Sequence, residues 1–101
     1  MYDDEVGEEY RFDDHSYEAL AVAGVAWLDV IHVLYRARPR IRRHIGGVLR
    51  VSAPVRDGRW VVVSCIEERD DQYLVVGGRY LDHGETEAAW KMIRGDRDGQ
   101  S

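Results

Sequence analysis

Three arginines lie on or beside predicted strands: Arg50 in an alternating segment, Arg59 after a hairpin turn, and Arg79 after two glycines. The ends of adjacent strands in an antiparallel meander are neighbours, so we expect these guanidinium groups to converge on one face of a sheet. Around a phosphate they would stabilise the charge of a pentacoordinate transition state, which is the chemistry of metal-free phosphoryl transfer. The alternative is that each is an exposed strand arginine, paired with a carboxylate and contributing little.

A basic segment, residues 36–44, holds five arginines and a histidine in a chain of net charge -5. Residues 36–59 contain eight arginines and one carboxylate, whereas residues 1–14 contain seven carboxylates and one arginine. Clustered guanidinium groups match phosphate geometry and favour polyanions through counterion release. We therefore expect an RNA-binding surface, with Tyr80 stacking on a base. Its arginines are Arg38, Arg40, Arg42 and Arg43. The alternatives are a solvated edge strand and, for Tyr80, a place in the core.

Cleavage of RNA by this chemistry also needs one group that removes the 2′-hydroxyl proton and another that protonates the leaving 5′-oxygen. The titratable candidates are His15, His44, His83 and Glu85. Because His44 lies in the basic segment, neighbouring positive charge would favour its neutral form, which can accept a proton. The alternative is a partly exposed strand histidine without a role in catalysis.

Several other kinds of site are not indicated by the sequence. The histidines lack the spacing and the neighbouring cysteines of a structural zinc site, and no glycine-rich loop matches a nucleotide cradle. The single cysteine, Cys65, lies in a predicted buried strand and has no partner for a disulfide bridge. We therefore expect no metal or cofactor, and a reducing cytoplasm as the location. No stretch approaches the apolar length of a membrane span, so no membrane contact is expected.

The elements that must position these residues change their hydrophobic period at Pro39. Before it, apolar residues at helical spacing predict one helix that ends at about Val22 and a second over Trp27–Tyr35. After it, alternating and apolar segments predict an antiparallel meander of three or four strands within residues 40–81. A last helix follows Asp82, which is placed to cap it. The predicted fold class is α+β, with two N-terminal helices, the meander and a C-terminal helix.

The chain is expected to form one domain over residues 10–94. Residues 1–9 are acidic with little to bury, so they predict a disordered arm. Ordered structure is expected to begin with a short extended piece at residues 10–12. Residues 95–101 are polar and predict a disordered tail.

Short segments spread over most of residues 10–92 carry a family resemblance. They are Tyr10–His15, Gly24-Val25, Asp29-Val30, Val33-Leu34, Asp57–Val63, Tyr73–Leu81 and Glu85. Their order resembles the BrnT family of bacterial toxins, small proteins with a RelE-like ribonuclease fold. In two places the chain departs from the family pattern. The family's arginine-rich final helix is here a helix with little positive charge, and Gly78 stands where the family tends to have alanine.

The resemblance implies a metal-independent endoribonuclease toxin of a type II toxin–antitoxin system. Such a protein cleaves RNA to arrest translation and is neutralised by a cognate antitoxin protein. The resemblance places Arg79 at the family's strand-end arginine and Arg59 at a basic position after the hairpin. Together with the residues themselves, it makes Arg50, Arg59 and Arg79 the candidate catalytic arginines, with His44 or Glu85 for proton transfer.

Two other function classes remain open. The first is a non-catalytic protein of the same fold that acts through protein contacts, with the acidic residues 3–14 lying over the arginines and competing with RNA. The second is a nucleic-acid-binding module without chemistry, although no basic recognition helix is visible. An open strand edge would also permit a homo-oligomer or strand addition by a partner.

Overall fold

A computed structural model describes residues 8–99, with side chains up to residue 95. The elements are β1 (Glu9–Arg11), α1 (Asp14–Ala23), α2 (Trp27–Tyr35), β2 (Ile41–Ile45), β3 (Val48–Pro54), β4 (Trp60–Arg69), β5 (Gln72–Tyr80) and α3 (His83–Gly99). Three helices and a five-stranded mixed sheet make this an α+β fold, as the sequence predicts. The second helix has the bounds expected from its apolar spacing.

Strands β2 to β5 form an antiparallel meander of four strands. Strand β1 adds in parallel to β5, which gives the sheet order β1-β5-β4-β3-β2. This first strand covers part of the extended piece expected at residues 10–12, but its place in the sheet was not predicted. A strand of three residues is too short to show a period of its own, and its pairing depends on the neighbouring strand.

The sheet has an inner face, which packs against α1 and α2, and an outer face, which packs against α3. On the inner face, side chains of β3 and β4 such as Leu49, Val51 and Val63 are fully buried against Val30 and Val33 of α2. Successive residues of a strand point to opposite faces, so the residues between them, including Arg50, are directed outwards. Burial of the inner-face side chains supplies the main stabilisation of the fold.

The first helix is joined to the sheet through a buried serine. Asp13 is the N-cap, and Ser16 completes a capping box with it. The Ser16 hydroxyl, which is fully buried, also donates to the carbonyl oxygen of Val75 on β5. The helix ends at Gly24, whose φ of 74° allows its N–H to bond back to the helix. These bonds hold α1 across the inner face of β5.

The sheet curls about its inner face, so that side chains of β2 reach residues on the far side of the sheet. The hydroxyl of Tyr73 on β5 lies 3.3 Å from Nε2 of His44 on β2, although two strands separate them in the sheet. Arg42 on β2 forms an ion pair with Glu8, which also accepts a hydrogen bond of 2.7 Å from Tyr10. Glu8 and the first residue of β1, Glu9, therefore belong to the domain rather than to the expected arm. The rest of that arm, residues 1–7, lies outside the described residues.

The last helix is longer than the sequence predicts. Helix α3 continues to Gly99, through most of the segment 95–101 that was expected to be a disordered tail. A single glycine such as Gly95 costs about 1 kcal/mol in a helix relative to alanine, which weakens the helix without ending it. Residues 100 and 101 lie outside the described part of the chain.

Candidate functional site

A groove of about 540 Å³ opens on the outer face between the sheet and α3. Its floor comes from the outward side chains of the four meander strands, and α3 forms one wall. The floor contains Arg43, Arg50, Ser52, Val62, Ser64, Gly77 and Arg79, and the helix contributes Glu85, Ala88, Ala89 and Met92. Guanidinium and hydroxyl groups therefore line the sheet side, whereas the helix side is largely apolar.

The strand register explains why these residues share one surface. Arg43 pairs with Arg50, and Arg50 pairs with Ser64, which in turn pairs with Gly77. Paired residues of neighbouring strands point to the same face, so this row of four runs across the outer face. The next outward row along the strands ends at Arg79. Because Gly77 has no side chain and nothing within 4 Å of its Cβ position, the groove stays open between the arginines.

Arg43 and Arg50 form an uncompensated pair of like charges. They lie directly opposite each other on β2 and β3, and both line the groove. Among the described side chains, no carboxylate lies within ion-pair distance of either one. Like charges directly opposite across two strands are destabilising. An anion bound between them would relieve this repulsion.

Arg79 lies in the same groove, but its guanidinium is occupied by Glu85. Its two terminal nitrogens donate to the two carboxylate oxygens, each at 2.8 Å. Glu85 also accepts from the N–H of Asp82 at 3.0 Å, and Asp82 accepts from the N–H of Glu85 at 2.8 Å. The hydrogen bonds from Arg79, and then that from Asp82, lower the pKa of Glu85 to about 2. In this arrangement Glu85 is a weak proton acceptor and serves as the partner of Arg79.

None of the histidines proposed for proton transfer lines the groove. His44 follows Arg43 on β2, so its side chain points to the inner face, where it approaches Tyr73. His15 and His83 are exposed residues of α1 and α3, each near a glutamate of its own helix. The strand period of two, which brings Arg43 into the groove, is the reason that His44 is directed away from it.

Arg59 also lies apart from the groove, contrary to the expected convergence. It donates to Asp57 in the β3–β4 turn, and its guanidinium lies 4.0 Å above the ring of Tyr80. The Tyr80 hydroxyl donates to Asp29 at 2.8 Å and accepts from the N–H of Ala26 at 3.3 Å. Tyr80 therefore joins β5 to the start of α2 and is not free to stack on a base. Arg59 lies before the first residue of β4, so strand pairing does not direct its side chain to the groove.

Most of the basic segment has other partners. Arg40 donates to the carbonyl oxygen of Leu34 at 2.7 Å and so satisfies the end of α2. Arg38 donates to the carbonyl oxygen of Ala37 at 2.8 Å, and Arg42 pairs with Glu8. Of the four arginines expected to bind RNA, Arg43 is the one that lines the groove.

Sequence reasoning missed three features of this groove. Arg43 was expected on the RNA-binding surface, but its place as the third arginine of the groove, where Arg59 was expected, was not. The hydroxyl groups that Ser52 and Ser64 add to the floor were also missed. The signal that could have identified them is the turn at Gly46-Gly47, which places Arg43 opposite Arg50 once the hairpin is closed. Ser52 and Ser64 then follow from the alternation of β3 and β4.

Comparison with known proteins adds no family assignment. No protein-family model matches the chain, and no curated protein matches it significantly.

Among the described side chains, no group of three or more His, Cys, Asp or Glu residues is placed to hold a metal ion. Within residues 8–99, no single helix is long and apolar enough to cross a membrane, and α1 with α2 reaches that length only as a pair bent by 110°.

Proposed function

We propose that this chain is a cytoplasmic, toxin-like endoribonuclease of RelE- or BrnT-like fold, which binds RNA in the outer-face groove and cleaves it without a metal ion. The observation that carries the proposal is the uncompensated pair Arg43 and Arg50, which lie directly opposite each other in the groove that Arg79 also lines. Sites that perform a function commonly violate a rule of stability that the rest of the fold obeys. An antitoxin would act by covering this groove.

Phosphate is the ligand chemistry that the groove favours. Guanidinium groups bind phosphate oxygens in pairs, and the hydroxyls of Ser52 and Ser64 are additional donors between the arginines. The open floor at Gly77 allows a backbone phosphate to approach the strands. In cleavage, the 2′-oxygen would attack phosphorus and the 5′-oxygen would leave, which gives a 2′,3′-cyclic phosphate. Arg50 and Arg79 would stabilise the charge that develops on the scissile phosphate, and water in the open groove would take the 2′-hydroxyl proton and supply one to the 5′-oxygen.

Binding is tested with a short fluorescein-labelled single-stranded RNA, titrated with the full chain at several salt concentrations. We expect Arg50→Ala to weaken binding by at least about tenfold, because a charge-assisted hydrogen bond is lost. The slope of log affinity against log salt should decrease by about 1. Arg56→Ala is the matched control, since it removes the same charge from the exposed β3–β4 turn and should change the affinity little. Equal losses in the two variants would contradict a specific groove.

Cleavage is tested by expressing the chain in bacteria and following growth and the integrity of messenger RNA. Wild-type protein should slow growth and degrade RNA, and Arg79→Ala should relieve both effects. Purified protein should retain its activity in the presence of EDTA. Harmless expression with intact RNA would exclude the catalytic part of the proposal and leave RNA binding to be decided by the titration.

A second candidate is a non-catalytic protein of the same fold that binds a protein partner through this face. It is favoured by the fact that His44 lies on the inner face and Glu85 is held by Arg79, so neither is free in the groove as a base. Two exposed apolar side chains are Ile66, on the outer face of β4, and Met92, on α3. In this case RNA would stay intact, and Met92→Asp would abolish capture of the partner.

A further inference from the structure

The contact between Glu85 and Arg79 has the geometry that a bound phosphate would have. A carboxylate presents two oxygens in one plane to the two terminal nitrogens of the guanidinium, and both contacts measure 2.8 Å. The two non-bridging oxygens of a phosphodiester present the same pattern to an arginine. The position that Glu85 fills is therefore the position that the proposed function assigns to RNA.

The carboxylate is held in place by the start of α3. Asp82 and Glu85 each accept a hydrogen bond from the backbone N–H of the other, which fixes the first turn of the helix beside the strand end. The side chain of Glu85 is nevertheless 39% exposed, so water and ions reach the pair. Exposed ion pairs are held weakly and exchange readily with other ions.

The helix that carries Glu85 is also the least firmly packed of the three. Among its described residues, Ala89 is the one that is buried, and Trp90 contacts Trp60 edge to face at 5.2 Å between ring centroids. The Nε1 atom of Trp60, buried on the outer face, has no hydrogen-bond partner among the described residues. The hydrophobic core is built with α1 and α2 and contains no residue of α3, so the Glu85 side chain can leave Arg79 without exposing the core.

We propose that Glu85 is a built-in competitor for RNA phosphate: it neutralises Arg79 in the free protein and is displaced when a phosphodiester enters the groove. This inference rests on the proposed function and deepens it, because it assigns the Arg79 subsite to a phosphodiester and makes Glu85 its regulator. The carboxylate and the phosphate carry like charges, so they cannot occupy the arginine together. Arg43 and Arg50 then strengthen RNA binding, whereas Glu85 weakens it.

The test compares Glu85→Gln with Glu87→Gln in the RNA titration. Both variants remove one negative charge from the first two turns of α3, but Glu87 lies outside the groove and approaches His83 at 3.5 Å. We expect Glu85→Gln to bind RNA about fivefold more tightly than wild type, a gain of the size of an exposed ion pair. Its salt slope should be steeper by about 1, because one more guanidinium is free to contact phosphate. Glu87→Gln should change affinity by less than about twofold.

A double variant shows whether the gain passes through Arg79. In an Arg79→Ala background, Glu85→Gln should have no effect on RNA affinity, because the residue that it frees is missing. Glu85→Asp keeps the charge but shortens the side chain, so it should give a smaller gain than Glu85→Gln. It serves as the second variant if Glu85→Gln unfolds, which circular dichroism would reveal.

The outcomes separate the two proposals. If Glu85→Gln and Glu87→Gln behave alike while Arg50→Ala still weakens binding, the competitor role of Glu85 is wrong and the RNA-binding groove stands. A gain in Glu85→Gln that persists without Arg79 also overturns the competitor role. If neither wild type nor Glu85→Gln binds RNA, the proposed function fails, and this inference fails with it.

Discussion

The inner and outer faces of the sheet are built from alternate residues of the same strands, yet they differ in almost every property. On the inner face, Leu49 and Val51 are fully buried under two helices. Cys65 lies among these buried side chains, and burial raises the pKa of its thiol to about 12. On the outer face, Arg50 lies between these two residues and lines an open groove. One face carries stability, which leaves the other free to carry charge.

The stability of the inner face lets this small domain tolerate an unfavourable arrangement on the outer face. Two arginines face each other on the outer face without a carboxylate partner among the described side chains. Their repulsion is small compared with the burial of many apolar side chains on the inner face. The strands keep their register because the inner face allows no slip, since a shift by one residue would bury Arg50.

The largest effect is expected from a cavity in the inner face. Leu49→Ala should lower the free energy of unfolding by about 2–5 kcal/mol, because the fully buried side chain leaves a void between β3 and the helices. Urea denaturation followed by circular dichroism measures the change. Leu28→Ala is the control, since that side chain is 76% exposed and its loss should cost less than about 0.5 kcal/mol. Similar losses in the two variants would show that the inner face is not the core.

A smaller loss is expected at the polar contact beneath α1. Ser16→Ala removes the hydroxyl that donates to Val75 and completes the helix cap. We expect unfolding to become easier by about 1–3 kcal/mol, since the carbonyl oxygen of Val75 loses a buried donor. The matched variant Ser52→Ala removes a hydroxyl from the outer groove and should leave the urea midpoint almost unchanged. The reverse ranking would contradict the division of roles between the faces.

Two adjacent glycines of β5 lie on opposite faces, so substitutions there compare the inner and the outer face within one strand. A Cβ atom on Gly78 would lie 3.0 Å from the carbonyl oxygen of Val62 and 3.1 Å from Cδ2 of Leu20, whereas one on Gly77 meets nothing within 4 Å. Gly78→Ala should therefore cost about 1 kcal/mol in stability through overpacking. Gly77→Ala should keep its stability within about 0.5 kcal/mol while weakening RNA binding, because its methyl group enters the groove. Thermal unfolding and the RNA titration measure the two effects.

The smallest effect is expected at the facing arginines Arg43 and Arg50, whose repulsion lowers the stability of the fold. Arg50→Thr removes one member of the facing arginine pair and places a residue with high strand propensity on β3. At low salt the variant should be more stable than wild type by about 0.2–1 kcal/mol. About 1 M salt should reduce the difference, because it screens the repulsion in wild type. A variant that is less stable than wild type at low salt would show that Arg50 has a structural partner.

Several features could be predicted from local sequence because they depend on neighbouring residues. The apolar spacing of residues 27–35 predicts α2 with the bounds that the structure has. The hairpin turn expected before Arg59 is present, and Gly58 in that turn has a φ of 89°. Alternation along β3 predicts that Arg50 points to the face opposite that of Leu49 and Val51. In the structure Leu49 and Val51 are buried, and Arg50 lines the groove.

Other features were missed because they depend on contacts between distant segments. The parallel pairing of β1 with β5 joins residues separated by most of the chain. The pairing of β2 with β3 decides that Arg43 faces the groove and His44 the inner face, where the curl of the sheet brings it to Tyr73. Arg59 was grouped with the groove arginines because it is near a strand end, but contacts with Asp57 and Tyr80 hold it elsewhere.

By itself the sequence determined the α+β class, the antiparallel meander and a concentration of arginine in one part of the chain, because period, turn residues and charge are local properties. Only the tertiary structure decided which arginines share a surface. Register placed Arg43 beside Arg50, and the start of α3 placed Glu85 on Arg79. Guanidinium groups act together only when strand pairing brings them to the same face, and pairing is set by the burial of the opposite face.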